Sequence, residues 1–228
     1  YSKSRPSYPK SAIDYIFETC QLKQGSTVAD IGCGTGISSR LFAREGVHVI
    51  GIEPNEDMLS QARACDTASG GVVEYRSGTA EATGLPDSCA DLVLCAQAFH
   101  WFRSKESLAE FSRVLKTTGY CALIWNERDH KKDATRAYGD VIVKYSTDPA
   151  VELKRGASGK DLILCDLFKM VGVTEFTNSQ TLDLEHLLGR AFSTSYMPHE
   201  GEELEKAQTE ISEVFAQHSK DGMMTLSY

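Results

Sequence analysis

The chain has 228 residues, 41% hydrophobic and 25% charged, a composition that suits a globular protein able to bury a substantial core. Its 32 acidic and 24 basic residues give a formal net charge of −8, which disfavours a nucleic-acid partner because backbone binding needs concentrated positive charge. No apolar run approaches the roughly 18 residues of a membrane helix, and the N-terminus carries no apolar signal-like segment. The expectation is a cytoplasmic protein without a membrane partner.

Residues 1–125 alternate between strand-like and helix-like patterns. Ser11 and Asp14 form a capping-box pattern ahead of a helical apolar face at Ala12, Ile13, Tyr15, Ile16 and Phe17. Residues 27–31 read as a short buried strand, and Gly32 to Gly36 break it before a helix over 37–45. A second strand at 48–52 leads to a helix over 56–67, with Met58, Leu59 and Ala62 on one side. Strands follow at 72–75 and 91–96, then a helix over 104–115, a turn at Thr118-Gly119 and a fifth strand at 120–125. This alternation predicts a parallel sheet with helices on both faces and a ligand site along the carboxyl ends of the strands.

Beyond Asn126 the pattern changes. A helix is expected over 134–145, a loop with Gly and Lys around 154–161, a strand at 173–177 and a short helix at 184–190. An amphipathic helix over 202–218 has its glutamates facing water, and 223–228 reads as a last strand. The chain is expected to form one domain over 1–228: a core over 1–126, with 127–170 and 184–201 as insertions capping the substrate side. Seven cysteines without a close pair read as small buried hydrophobes of a reducing compartment, and six scattered histidines give no metal-ligand spacing. No metal is expected.

The sharpest local feature is Asp30-Ile31-Gly32-Cys33-Gly34-Thr35-Gly36. Glycines here permit strained dihedrals and a close approach of backbone to ligand. The dinucleotide fingerprint G-x-G-x-x-G fits poorly, because Ile37 stands where its third glycine belongs. That weakens a nicotinamide oxidoreductase reading. At the end of the second strand, Glu53 could accept both ribose hydroxyls of an adenosine, or it could be a solvent-facing glutamate before Pro54. Met58 or Leu59 could pack against an adenine, or serve as plain helical core.

The D-x-G-x-G-x-G string resembles motif I of the class I S-adenosylmethionine-dependent methyltransferases, and the later motifs resemble the type 11 subfamily that includes trans-aconitate methyltransferase. The resemblance implies a Rossmann-like α/β fold with a mostly parallel seven-stranded sheet, helices on both faces and an antiparallel last strand. It implies S-adenosyl-L-methionine as cofactor and S-adenosyl-L-homocysteine as product. In that family the turn, here Gly32, Cys33, Gly34 and Gly36, wraps the amino-acid part of the cofactor, with Asp30 near its ammonium. Glu53, Pro54 and Met58 would meet its adenosine. After the third strand the family often reads G-D-A-E; here it is Gly78-Thr79-Ala80-Glu81, so Thr79 departs from the pattern and Ala80 or Glu81 would recognise adenine.

After the fourth strand, Gln97 and Ala98 would touch the methionine part, with His100 and Trp101 forming a wall shared by cofactor and substrate. Trp101 could equally cap a core. His100 is a candidate general base or a plain loop histidine. Arg5 and Tyr8, in Arg5-Pro6-Ser7-Tyr8-Pro9, would lie near the cofactor carboxylate or the substrate, with Tyr8 a second catalytic candidate. Asn126, Arg128, Tyr138, Arg190 and Tyr196 are candidates to read an anionic or aromatic substrate. The expected reaction is methyl transfer to a small-molecule carboxylate, hydroxyl or amine by a monomer or weak homo-oligomer. The alternatives are a protein or nucleic-acid methyltransferase, and a degenerate domain that works by binding alone.

Overall fold

Five short strands, joined by connections that return the chain across the sheet, build a parallel sheet. In the computed structural model, which describes residues 5–68, 72–148, 159–169 and 172–228, its strands are β1 (Thr27–Ile31), β2 (His48–Glu53), β3 (Val73–Ser77), β4 (Ala90–Ala96) and β5 (Leu115–Ile124). Their order is β3-β2-β1-β4-β5. Thr27 pairs with His48 and Val28 with Leu92, so β1 is central and buried on both faces. This is why β1 reads as a continuous apolar run rather than an alternation. The chain runs outward from β1 to β2 and β3 on one side, then reverses to β4 and β5 on the other. A crevice outside the carboxyl ends of β1 and β4 follows from that reversal.

Alternate residues serve the two faces. Val28, Val49, Leu92 and Leu94 pack with Ile13 and Ile16 of α1 (Lys10–Thr19) and Phe42 of α2 (Ile37–Arg44). Ala29, Ile31, Ile52, Val93 and Cys95 pack with Leu108, Phe111 and Val114 of α4 (Ser104–Val114). Between them in sequence, α3 (Glu56–Thr67) packs on β2 and β3.

Two local expectations change. α1 starts at Lys10 after Pro9, so Ser11 lies within its first turn and no capping box forms. β5 starts at Leu115, immediately after α4. Leu115 pairs with Ala90 and Tyr120 with Leu92, so residues 116–119 bulge opposite Asp91, which accepts hydrogen bonds from Thr27 N and Lys116 Nζ (2.8 Å each, to Oδ2).

The chain divides into two compact units. The sheet unit comprises Ser7–Trp125 and Gly156–Glu175. Within it a short helix, α6 (Gly159–Ile163), packs on α4, so part of the expected 127–170 insertion belongs with the sheet. Of the expected loop at 154–161, residues 154–158 lie outside the described residues.

The C-terminal unit comprises Tyr1–Pro6, Asn126–Arg155 and Phe176–Tyr228. Its helices are α5 (Asp133–Tyr145), α7 (Leu184–Phe192) and α8 (Gly201–His218). β6 (Ser179–Leu182) pairs antiparallel with β7 (Met224–Ser227). Tyr138, Ile142, Leu187, Met197, Ala207, Ile211, Met224 and Leu226 form its core.

The expected seven-stranded sheet is therefore corrected to a five-stranded parallel sheet and a separate two-stranded antiparallel one. Leu182, Met224 and Leu226 point into the core of the C-terminal unit, which fixes β6 and β7 to each other. The strand expected at 173–177 does not form, and Val173 is exposed; pairing begins at Ser179. No helix among the described residues is long and apolar enough to cross a membrane.

Candidate active site

The glycine turn leaves β1 tied to β2, because Gly32 N and Cys33 N both donate to the Ile52 carbonyl (2.8 and 3.1 Å). Gly32, Gly34 and Gly36 all lie in the left-handed region, at φ 70°, 55° and 74°. Two of them are forced by packing. A Cβ at Gly32 would stand 2.6 Å from Ala98 Cβ, and one at Gly36 would stand 2.2 Å from the Tyr75 hydroxyl. Gly34 differs: among the described residues, apart from its chain neighbours, a Cβ there would meet just Met58 Sδ within 4 Å, at 3.9 Å. The open stretch of backbone is thus at Gly34, where a ligand can approach. Met58 borders that opening, whereas Leu59 is fully buried, which separates two adjacent helical residues that the sequence left equivalent.

Glu53 ends β2 and is buried. Its Oε2 accepts from Gly34 N (3.0 Å) and its Oε1 from Asn55 N (3.1 Å). Asn55 in turn caps α3, its Oδ1 accepting from Met58 N (3.0 Å), and Pro54 is exposed. Asp30 is wholly buried. Its Oδ2 accepts from the hydroxyls of Ser38 (2.7 Å) and Ser39 (2.6 Å), both in the first turn of α2. Its Oδ1 is sealed from solvent and has no partner. Burial pushes the Asp30 carboxyl up to about 6, against the lowering effect of the two serines. An orphaned carboxylate oxygen beside an open glycine turn fits a ligand ammonium, and Glu53 fits a pair of hydroxyl donors. The residues present therefore suit an amino-acid-bearing nucleoside.

The Asp30 carboxyl holds its proton more tightly folded (about 6) than at the ordinary value (3.8). The fold is then most stable with Asp30 protonated, loses stability as pH rises between these values, and is flat above. Two units correspond to on the order of 3 kcal/mol. Urea unfolding of the wild type from pH 4 to pH 8 is expected to show this fall, and Asp30→Asn to flatten it. An identical slope in the variant would mean that Asp30 titrates normally.

After β3, Thr79 and Ala82 close a tight turn. Ala80 is buried in the sheet core. Glu81 accepts from Arg103 N (2.9 Å) and the Ser107 hydroxyl (3.3 Å), so its carboxylate holds the start of α4. Burial would raise its carboxyl, but these bonds and one from Thr79 prevail and lower it. After β4, Gln97 adopts φ 61° while its N–H still donates to the Ile124 carbonyl (2.9 Å). Ala98 packs on Gly32, and Phe99 enters the core. Phe102 lies against the core, with its ring under Gly32. Between them His100 is half-buried and packs against Trp101 with tilted rings, their centroids 4.9 Å apart, while Trp101 is 55% exposed. Tyr8 is half-buried against the core of Ile13 and Phe42.

The sheet unit thus gathers Asp30, Gly32, Cys33, Gly34, Gly36, Glu53, Met58 and Ala98 around one turn. Thr79 to Glu81 and Gln97 to Trp101 follow the carboxyl ends of β3 and β4. Sequence reading missed Ser38 and Ser39, which hold Asp30, and Tyr75, which fills the space behind Gly36. Two serines in a helix's first turn, eight and nine residues after a strand aspartate, were a usable signal.

The other candidates belong to the C-terminal unit. Arg5 donates from Nη2 to the Ser193 carbonyl (2.9 Å). Buried Asn126 accepts from Asn178 Nδ2 (2.8 Å). Tyr138 is core, and burial pushes its hydroxyl up to about 12. Tyr196 is also buried there, its carbonyl accepting from Thr147 N (2.7 Å). Arg128 lies beside Gly139 of α5, and Arg190 near the end of α7. Among the described residues no cysteines form a disulfide and no cluster of three His, Cys, Asp or Glu could hold a metal ion.

Comparison with known proteins agrees with this geometry. The profile of a methyltransferase-domain family matches residues 29–123. An uncharacterized methyltransferase-like protein of Schizosaccharomyces pombe is 31% identical over 94% of this chain and 82% of its own. An uncharacterized methyltransferase of Mycobacterium tuberculosis is 34% identical over 62% of this chain and 55% of its own. The solved structure of a candidate type II methyltransferase from Anaeromyxobacter dehalogenans superimposes with a TM-score of 0.70 at 20% identity, covering 98% of this chain and 94% of that one.

Proposed function

The chain belongs to the class I S-adenosylmethionine-dependent methyltransferases, and from that premise we propose that it methylates a small molecule at a carboxylate, hydroxyl or amine. The observation that carries the cofactor half is the open backbone at Gly34, bounded by Met58 and by the Glu53 carboxylate. A net charge of −8 supports a small acceptor over nucleic acid. So does the lack of an N-P-P-Y-like string and of a Pro-Cys pair.

Bound S-adenosylmethionine would supply a methyl group already activated on a sulfonium. The chain's own task is to bind, orient and exclude water. Glu53 would accept from the ribose hydroxyls, Asp30 would face the ammonium, and the Gly34 backbone would let the amino-acid part lie close. Gln97 and Ala98, at the carboxyl end of β4, would border the methionine part. A carboxylate acceptor needs no base. A base matters only where a hydroxyl or amine acceptor must lose its proton before or during attack; there His100, beside Trp101 on the same loop, would take it, with Tyr8 the other titratable candidate.

The test is to incubate the protein with methyl-labelled S-adenosylmethionine and panels of small carboxylates, phenols and amines, alongside protein and RNA. Label is expected in the small-molecule fraction. If the acceptor is a phenol or amine, His100→Ala should lower kcat by about 100-fold, the usual range for losing a general base. Label appearing only in protein or RNA would overturn the small-acceptor reading. Cofactor binding without transfer to any fraction would favour a binding domain.

A further inference from the structure

Arg190 is half-buried, with much of its guanidinium enclosed, and no countercharge stands beside it among the described residues. Its guanidinium stands over the Tyr228 ring, 5.1 Å from the centroid. Its Nε and Nη1 are sealed from solvent and have no hydrogen-bond partner, and no carboxylate pairs with it among the described residues. A guanidinium presents five N–H donors and keeps its charge, so leaving it buried and unanswered is costly. Acidic residues are not scarce: the chain has 32 of them.

Its surroundings add positive charge. Arg5 is held at the same end of α7, donating to the carbonyl of Ser193, whose own hydroxyl donates to the Arg190 carbonyl (2.8 Å). Arg128 approaches across α5, its Nε 3.6 Å from where a Gly139 Cβ would be. Burial lowers the proton affinity of Arg190; Tyr228 and Tyr138 oppose this, and the Arg5 and Arg128 charges add to it. Three cations and three tyrosines, Tyr138, Tyr196 and Tyr228, thus share one region of the C-terminal unit. Guanidinium forks match a planar carboxylate, and aromatic walls suit the organic skeleton that carries it.

We propose that this cluster binds a carboxylate-bearing small molecule, with Arg190 as its direct partner and Arg5 and Arg128 supplying the surrounding positive field. The carboxylate is that of a free organic acid. The proposal deepens the small-acceptor reading and rests on it for the size of the ligand.

Calorimetry on the full chain, with malonate, its neutral analogue malonamide, and S-adenosylhomocysteine as probes, tests this. Malonate is expected to bind and malonamide not, and Arg190→Gln should weaken malonate at least tenfold. S-adenosylhomocysteine affinity is expected to stay within twofold in that variant. A tenfold loss of S-adenosylhomocysteine affinity would overturn the proposal of a separate acid site. Equal behaviour of malonate and malonamide, or Arg190→Gln leaving both malonate and S-adenosylhomocysteine affinities unchanged, would overturn the proposal and leave Arg190 a structural partner of Tyr228. If circular dichroism shows Arg190→Gln to be unfolded, Arg190→Lys, which keeps the charge but loses the planar fork, serves instead, with a smaller loss expected. Methyl transfer followed in the same samples separates the two readings, because malonate binding can fail while label still reaches a neutral small molecule.

Discussion

Glu53→Ala is expected to weaken S-adenosylhomocysteine binding by about 100-fold or more, measured by calorimetry on a protein that still folds. Hydrogen bonds to a charged group are worth roughly 1.5–3 kcal/mol each. Losing the two proposed to reach the ribose would remove at least about 3 kcal/mol, and each 1.4 kcal/mol is a factor of about ten. Gly34 N and Asn55 N, which Glu53 now satisfies, would be left to water near the turn. The fold should survive, because Glu53 sits at the end of β2 and its backbone pairing with β3 is independent of the side chain. Glu53→Gln is the sharper control. It keeps the shape but sets an amide N–H₂ against either Gly34 N–H or Asn55 N–H, so it should lose most of the affinity too. Unaltered affinity in a folded Glu53→Ala protein would remove Glu53 from the cofactor site.

The second large effect is on stability. Gly36→Ala is expected to destabilise the fold by about 3 kcal/mol, lowering Tm by about 6–12 °C for a domain of this size. A left-handed alanine costs roughly 1–2 kcal/mol, and overpacking a filled site adds a further 1–3 or so. The new Cβ would lie 2.2 Å from the Tyr75 hydroxyl and 2.9 Å from its ring carbon Cζ. Adding Tyr75→Phe should recover part of the loss, since it deletes the nearer atom and leaves the ring. Strict additivity in that double-mutant cycle would mean that the two residues do not collide. Gly34→Ala makes the contrast. Its backbone is also left-handed, yet the added carbon meets only Met58 Sδ at 3.9 Å, so stability should suffer less and cofactor binding more.

What could be read from sequence followed from how strongly each segment constrains its surroundings. β1, β2 and β4 are buried on both faces, so each is largely apolar, and these apolar stretches were visible despite Asp30 in β1 and Asp91 in β4. The Asp30 to Gly36 string was legible because left-handed turns at three alternating positions leave glycine little competition. β6 and β7 were not legible as a sheet of their own. Each has four residues, and what fixes their pairing is a core assembled from α5, α7 and α8. Met58 and Leu59 are adjacent, and only the packing of α3 shows which one borders Gly34. The likeness of Gly78-Thr79-Ala80-Glu81 to a G-D-A-E loop marks Glu81 for the cofactor, but it does not show that Glu81 also holds the start of α4. Its bonds to Arg103 and Ser107 depend on where α4 begins in space, which spacing along the chain does not encode.

The two N–H bonds that hold Glu53 have a thermodynamic consequence. A long, flexible side chain at a binding site ordinarily surrenders rotamer freedom when its ligand arrives, a cost of up to about 2 kcal/mol for a glutamate. Here Gly34 N and Asn55 N have already selected one conformer, and that loss is absorbed by folding rather than by association. The site is preorganised, and more of the intrinsic strength of each new hydrogen bond can appear as affinity.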